Sequence, residues 1–360
     1  MSKRTTSCST ISVAEAVGNV RKTGPLASFL VVCGLLLVAA CAPAERPLSY
    51  SGQTMGTSYQ VTVVAAEDGV PGDLGERIQA VLDDVDGRMS TYKDDSELNR
   101  LNRAPPGEPF RVSPQLMAVL QLSQQVYQLS GGAFDPSVGP LVDLWGFGPS
   151  HHPERIPDQA EIDGLRGKSG FHQLILDPEG HTATRQADIS LDLSAVAKGY
   201  GADRVAELLR TLGLTRYMVE VGGEMALAGL NARGTPWRIA VERPVVEARE
   251  VEQVISVTDA GVATSGDYRN YFEQDGVRYS HTLDPRDGYP VSHNLASVTV
   301  VGATSALADA LATAYLVMGT AQALAHAEAN QVAIMTLSKG GDGFEEAHSP
   351  AFTPYLIEVQ

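Results

Sequence analysis

A lysine, two glycines and an amphipathic helix come together in SLDLSAVAKGYGADRVAELLRTLG, Ser190 to Gly213. Such a combination is suited to holding phosphate: the cation offsets charge, and the backbone N–H groups of a helix start point at the oxygens. The common nucleotide loop places its glycines first, then Gly-Lys-Ser/Thr, then the helix. Here Lys198 precedes Gly199 and Gly201 and no Ser or Thr follows it. This is therefore not a Walker-type loop, and the lysine at this bend needs another explanation. A second chemical pair is Asp309 and Thr313, spaced i, i+4 and so on one helix face. Asp309 stands between Leu307 and Leu311 in an Ala/Leu-rich stretch. A carboxylate there is costly to bury unless paired or metal-bound; otherwise it is a surface acid or cap.

These residues need elements to hold them. TSYQVTVVA (Thr57–Ala65) alternates as a half-buried strand, and Leu74, Ile78, Val81, Leu82, Val85 and Met89 follow at helical spacing. Ser113-Pro114 opens a helix that Gly131-Gly132 closes. Leu174–Asp177 and Thr182–Arg185 flank PEG as a hairpin. Ser194 is the expected cap of the opening helix and Gly213 its end. Strands are expected at Tyr217–Leu227, Trp237–Glu242, Val251–Thr258, Val277–Leu283 and Ala296–Val301, with QVAIMTL as the last. Thr304 caps a helix to about Met318, where Gly319 stops it. Strands and helices come in unequal runs without βα alternation, which indicates α+β with mostly antiparallel sheets and packed helices. GPSHHPERIPDQAE is the most loop-like internal stretch.

The 360 residues are 43% hydrophobic and 19% charged, enough chain for a large core. The formal charge is −16; residues 1–40 carry a net +3, which leaves −19 on the rest. An acidic body without a basic run argues against nucleic acid or an anionic membrane surface as partner. An anionic substrate would need a metal, a few cations or helix N-termini. The short apolar run Phe29 to Cys41 after Arg21 and Lys22 ends in Val38-Ala39-Ala40-Cys41, similar to a bacterial lipoprotein signal. The expected organisation is a cleaved signal over 1–40, lipidated Cys41 and a tether over 41–52, and one domain over 53–360. Cys8 and Cys33 leave with the signal, so the mature body has no disulfide. A triacyl anchor, palmitate included, would be its only link to the membrane and would hold it at the cell envelope, facing the periplasm.

Eight stretches carry a stronger signal: QTMGTSYQV from Gln53, RMSTYKDDSELNRLN from Arg88, SGGAFDPSVGPLVDLWGFG from Ser130, DLSAVAKGYGADRV from Asp192, VEVGGEMALAG from Val219, ATSGDYRNYF from Ala263, YSHTLDPRDGYPVSH from Tyr279 and LADALATAYLVMG from Leu307. Together, in this order, they resemble the FAD:protein FMN transferases, the ApbE family of flavin transferases, from about Gln53 to about Met335. The resemblance implies an Mg²⁺-dependent enzyme. It would cleave FAD at the pyrophosphate, join FMN by a phosphoester to a Thr or Ser of a target protein and release AMP. Its partners would be flavin-acceptor proteins of membrane electron-transfer complexes.

The resemblance also assigns residues. Asp309 and Thr313 would ligate magnesium with the Ala195 carbonyl, while Ala312 stands where some relatives carry a further acid. Asp192 and Lys198 would contact FAD on either side of Ala195, a phosphate-and-metal cradle of its own kind. Met55, Tyr92 and Ala133-Phe134-Asp135 would hold the flavin, with Leu283 lining the same pocket. Glu224 would bind a flavin or ribose hydroxyl or serve as a strand-end structural acid. His281 is the candidate base for the acceptor hydroxyl or else orients a loop; His293 is the runner-up, and His151, His152 and His181 fall in loops or turns. Asp284-Pro285-Arg286-Asp287-Gly288 reads as a turn from which Arg286 could reach a phosphate. The same site would serve an FAD pyrophosphatase giving FMN and AMP. A non-enzymatic FAD-binding lipoprotein would not need the Asp309/Thr313 pair. A redox flavoenzyme is disfavoured by the missing Rossmann fingerprint and cysteines.

Overall fold

The computed structural model describes residues 44–148, 155–245, 250–267, 271–341 and 343–357. Residues 1–43, with the expected signal and Cys41, lie outside the described residues, as do His151 and His152.

The centre is an eight-stranded sheet of β1 (Arg46–Thr54), β2 (Thr57–Ala65), β3 (Tyr217–Val221), β4 (Glu224–Ala228), β5 (Ala260–Gly266), β6 (Leu295–Gly302), β7 (Ala333–Gly340) and β8 (Gly343–His348). The strands lie side by side in chain order, each antiparallel to the next. The expected α+β class with antiparallel sheets holds.

Alternate residues of these strands enter different cores. Val61, Val63, Val219 and Val221 face one way, with α1 (Leu74–Met89) and α3 (Ser194–Thr211) packed on them. Further along, Ala263, Val298, Val300 and Ile334 meet α2 (Pro114–Leu129), α4 (Ser305–Met318) and α5 (Thr320–Ala329). Val64, Leu227, Val262, Val301, Met335 and Leu337 face the other way and are covered by the hairpin Trp237–Glu242/Val251–Val257 and by Phe352. Because both faces are covered, β6 is buried along nearly its whole length, unlike an antiparallel strand with one wet face. Helix α4 lies inside, with twelve of its fourteen residues buried, and Thr304 caps it by accepting from the Leu307 N–H at 3.2 Å.

Four expectations change. Strand β1 begins at Arg46, so most of the expected 41–52 tether belongs to the sheet. Tyr217–Leu227 is a hairpin, turned at Gly222 and Gly223, whose positive φ values of 61° and 105° suit glycine. Val277–Leu283 breaks after Ser280, leaving His281 and Thr282 between strands. Ser194 is the first residue of α3, not its cap; Asp192 Oδ1 accepts from the Ser194 N–H at 2.8 Å instead. Lys198 therefore sits inside the helix rather than at a bend. Gly199 and Gly201, also within it, serve helix packing: a Cβ at Gly199 would lie 2.4 Å from the Ser305 carbonyl oxygen.

Candidate functional site

The β1–β2 hairpin turns through Met55 (φ 46°) and Gly56 (φ 72°), since a two-residue loop of this kind requires left-handed backbone. The turn delivers the Met55 side chain against Gly201 of α3, where a Cβ would stand 2.9 Å from Met55 Cε. Met55, Met89, Thr91, Tyr92 and Lys93 wall a cavity of about 510 Å³. Tyr92 is 69% exposed and offers its ring at the rim. Lys93 pairs there with Asp86 at 2.6 Å.

A second cavity, about 440 Å³, also borders the start of α3. Ala133 and Phe134, Val138, Val142, Leu283, Leu316 and Val317 make it largely apolar. Asp135 lines it too, but its carboxylate fastens the local turn: Oδ1 accepts from the Ser137 N–H and hydroxyl at 2.8 and 2.7 Å, and Oδ2 from the Phe171 N–H at 3.3 Å. Burial holds its pKa above the usual carboxylate range while those hydrogen bonds oppose the rise. Asp135 thus shapes the segment more than it offers a free side chain. The expected single pocket for Met55, Tyr92, Phe134 and Leu283 is divided: the first two line one cavity and the last two the other.

The cavities share Ser194 and Lys198. From mid-helix, Lys198 reaches across Gly222, where a Cβ would come within 3.1 Å of its Cδ. Its Nζ meets Glu224 Oε1 at 2.9 Å and Asp309 Oδ1 at 3.7 Å. Asp309 is 2% exposed, and its Oδ2 accepts from the Gly199 N–H at 3.0 Å. Burial alone would lower the Lys198 pKa; Asp309 and Glu224 outweigh it and hold the ammonium charged. Both carboxyls are raised by burial, Glu224 further by Asp309, against the pull of Lys198. Thr313, one turn beyond Asp309, has its hydroxyl 3.2 Å from that of Ser265 on β5. Ala195 and Asp192 complete the wall, with Asp192 Oδ1 also taking the Ser194 hydroxyl at 2.5 Å.

This junction fits a hard divalent cation. Two buried carboxylates face one ammonium, and Glu224 Oε2 has no hydrogen-bond partner among the described residues. A pyrophosphate drawn to Lys198 would meet that excess negative charge. The Asp309 carboxylate, Thr313 hydroxyl and Ala195 backbone supply oxygen donors on one wall. Magnesium takes such donors with one or two carboxylates, phosphate and water completing its shell. Among the described residues no three His, Cys, Asp or Glu side chains converge as a metal cluster. A magnesium shell of this composition does not require one.

His281 lines the apolar cavity with its ring edge-on to Phe147, centroids 6.4 Å apart at 70°. Phe147 continues a stack through Phe272 and Tyr279 to Trp145, whose Nε1–H donates to the Gly288 carbonyl at 3.0 Å. His293 packs on Gly319 and lines neither cavity, and His181 sits in a turn. Arg286 is held by Asp284 through Nε and Nη2 at 2.8 and 2.6 Å, so the structure does not direct it at a phosphate. Sequence reasoning missed Ser265 and the aromatic stack. Both fall in quoted motifs, but nothing local ties Ser265 to Thr313, 48 residues away.

The ApbE family profile matches residues 55–336. A Vibrio cholerae protein named FAD:protein FMN transferase is 44% identical over 330 residues, 91% of this chain and 98% of that protein. The solved structure of a flavin transferase ApbE from Vibrio cholerae superposes with a TM-score of 0.80 at 42% identity, covering 87% of this chain and 100% of that one. The apo Pseudomonas stutzeri flavinyl transferase ApbE gives 0.80 at 37% identity, over 87% and 97%.

Proposed function

The chain belongs to the ApbE family, and from that membership and the site we propose that it transfers FMN from FAD to a Thr or Ser hydroxyl of a protein, releasing AMP. The observation that carries this is the pair of cavities meeting at Ser194 and Lys198, with Asp309 on the wall of one of them. FAD is two ring systems joined through a pyrophosphate, and two pockets that share the Lys198 ammonium match that division. The rim Tyr92 ring and the Met55 thioether suit a flat, polarisable ring, as does the apolar wall around Phe134.

Magnesium, when bound by Asp309, Thr313 and the Ala195 carbonyl, supplies charge neutralisation at the pyrophosphate. Lys198 holds the pyrophosphate oxygens at the junction, and Glu224 and Asp309 fix its Nζ there. The acceptor oxygen forms a bond to the FMN-side phosphorus. The bond to the bridging oxygen breaks, and AMP leaves with that electron pair. His281, on the cavity wall, takes the acceptor proton.

Cys41 carries the lipid anchor in this reading, after cleavage of residues 1–40, and the enzyme faces the periplasm. Strand β1 starts at Arg46, so the linking chain spans at most about 17 Å when fully extended. That keeps the catalytic domain at the membrane surface, near acceptors in membrane electron-transfer complexes. Binding tests the division of the site: FAD fills both cavities and should bind well below the dissociation constant of FMN or of AMP, measured by flavin fluorescence and competition. Equal affinity for FAD and either half would refute it.

A further inference from the structure

Strand β5 ends in Thr264-Ser265-Gly266, and strand alternation turns the two neighbouring hydroxyls to opposite faces. Thr264 stands opposite Thr299 on β6, hydroxyl to hydroxyl at 2.8 Å. Ser265 stands opposite Val298, on the face where Ala263 and Val298 join the core built with α4. There its Oγ lies 3.2 Å from Thr313 Oγ1, and both residues line the cavity that Asp309 and Ala195 also line. Among the described residues neither hydroxyl makes another hydrogen bond. A hydroxyl has one proton and two lone pairs. In a helix that proton commonly goes to the carbonyl four residues back, as Thr211 donates to Glu207 at 2.9 Å on α3. Thr313 is turned to Ser265 instead. Between two hydroxyls either can donate, and the direction decides what Thr313 offers the cavity. If Ser265 donates, a Thr313 lone pair is used up and the Thr313 proton swings free, where it opposes a cation. If Thr313 donates, its proton is held on the β5 side and its lone pairs are left for a cation beside Asp309.

We propose that Ser265 is a positioning residue for the cation: its Oγ accepts the Thr313 hydroxyl proton and so presents the Thr313 oxygen as a ligand. The inference rests on the cation reading above and adds what orients one of its donors. Asp309 is oriented in the same manner from the other side, with Oδ2 accepting from the Gly199 N–H of α3 at 3.0 Å. Each of the two donors on α4 is thus fixed by a neighbouring element, Asp309 by a helix and Thr313 by a strand. Partners of this kind hold a ligand in its productive orientation, and losing one costs about 10–100-fold in metal affinity.

Mn²⁺ is the probe, because it shares magnesium's preference for octahedral oxygen donors. Its paramagnetic resonance signal is sharp in solution and is lost on binding, which measures affinity without turnover. The full-length protein is titrated with Mn²⁺, alone and with FAD, as wild type, Ser265→Ala, Thr313→Val and the double variant. Ser265→Ala should weaken Mn²⁺ binding about tenfold or more. Adding Ser265→Ala to Thr313→Val should cost little further, because Ser265 acts through the Thr313 oxygen. In FAD turnover the Ser265→Ala defect should lie in the Mg²⁺ concentration needed and should close at saturating Mg²⁺. Ser265→Ala that takes up Mn²⁺ as tightly as wild type overturns the proposal, and so do single losses that add in full in the double variant. A turnover defect that saturating Mg²⁺ leaves in place, with a lowered melting temperature, would reduce the pair to a strand–helix packing contact. Wild type that takes up no Mn²⁺, with or without FAD, would remove the cation reading and this inference together; normal uptake indifferent to Ser265→Ala removes the inference alone.

Discussion

Replacing Gly199 by Ala sets two effects against each other. In an open helix interior the change gains about 1 kcal/mol of helix propensity. At Gly199 the new Cβ would lie 2.4 Å from the Ser305 carbonyl oxygen, 2.7 Å from its carbon and 2.8 Å from the Ala306 nitrogen. These are backbone atoms of α4 and have no rotamer to give, so α3 and α4 must separate by about 1 Å to restore ordinary contact. Overpacking of that kind costs about 1–3 kcal/mol and outweighs the propensity gain. The displacement also acts on the site. The Gly199 N–H and Asp309 Oδ2, now 3.0 Å apart, would move to the limit of hydrogen bonding, and Asp309 would recede from Lys198. A 1 Å misplacement of a reacting arrangement can cost about 100-fold in rate. Gly87→Ala, on α1 with no heavy atom within 4 Å of its would-be Cβ, is the control and should raise the melting temperature by about 2 °C. Thermal unfolding and FMN transfer measured on both variants decide the matter. A Gly199→Ala protein as stable and as fast as wild type would refute the claim that this helix contact sets the site.

Asp309→Asn should abolish Mg²⁺-stimulated FAD turnover, whereas Lys198→Ala should lower it by a smaller factor, because the first removes a cation ligand and the second one of several phosphate contacts; turnover titrated with Mg²⁺ compares them, and equal losses would reverse the assignment. His281→Ala should bind FAD normally but transfer FMN about 10²–10⁴-fold more slowly, with rescue by imidazole if the ring is the proton acceptor; weakened FAD binding without rescue would make it a loop-orienting residue. Asp203 accepts from the Ser305 and Ala306 N–H groups at 2.9 and 2.8 Å, and burial raises its pKa to about 6 despite those bonds. The folded state therefore holds this proton more tightly than the unfolded chain, and stability falls as pH rises from about 4 to about 6. The urea unfolding free energy of wild type relative to Asp203→Asn should drop by up to about 3 kcal/mol over that window; a pH-independent difference would show that folding leaves the Asp203 carboxyl unshifted.

Much of this architecture is legible in the sequence where local chemistry dictates it. Ser113-Pro114, Thr304 and Gly319 bracket α2 and α4 because caps and stops act over one turn. The Asp309/Thr313 spacing likewise survives, since a helix fixes its own i, i+4 pairs. What the sequence hid depends on distant partners. Lys198 suggested a helix-opening bend because glycines beside a lysine look like a phosphate loop; those glycines admit Ser305 and Met55 instead. Arg286 and Asp135 looked available for a ligand, and their commitments to Asp284 and to Ser137 and Phe171 emerge only with side-chain geometry. The stretch before Gln53 resembled a tether because β1 is an edge strand with one neighbour and an exposed side, which leaves little apolar pattern to detect.

The most direct test of FMN transfer is to incubate the protein with FAD, Mg²⁺ and a candidate acceptor domain presenting a Thr or Ser, and to follow the intact acceptor by mass spectrometry and AMP by chromatography. The expected result is an acceptor heavier by one phosphoester-linked FMN at a hydroxyl residue, one AMP released per acceptor labelled, and neither product with Asp309→Asn. AMP and free FMN formed in equal amounts across a panel of acceptors, with no acceptor labelled, would show that the cavities and their junction at Lys198 serve hydrolysis rather than transfer.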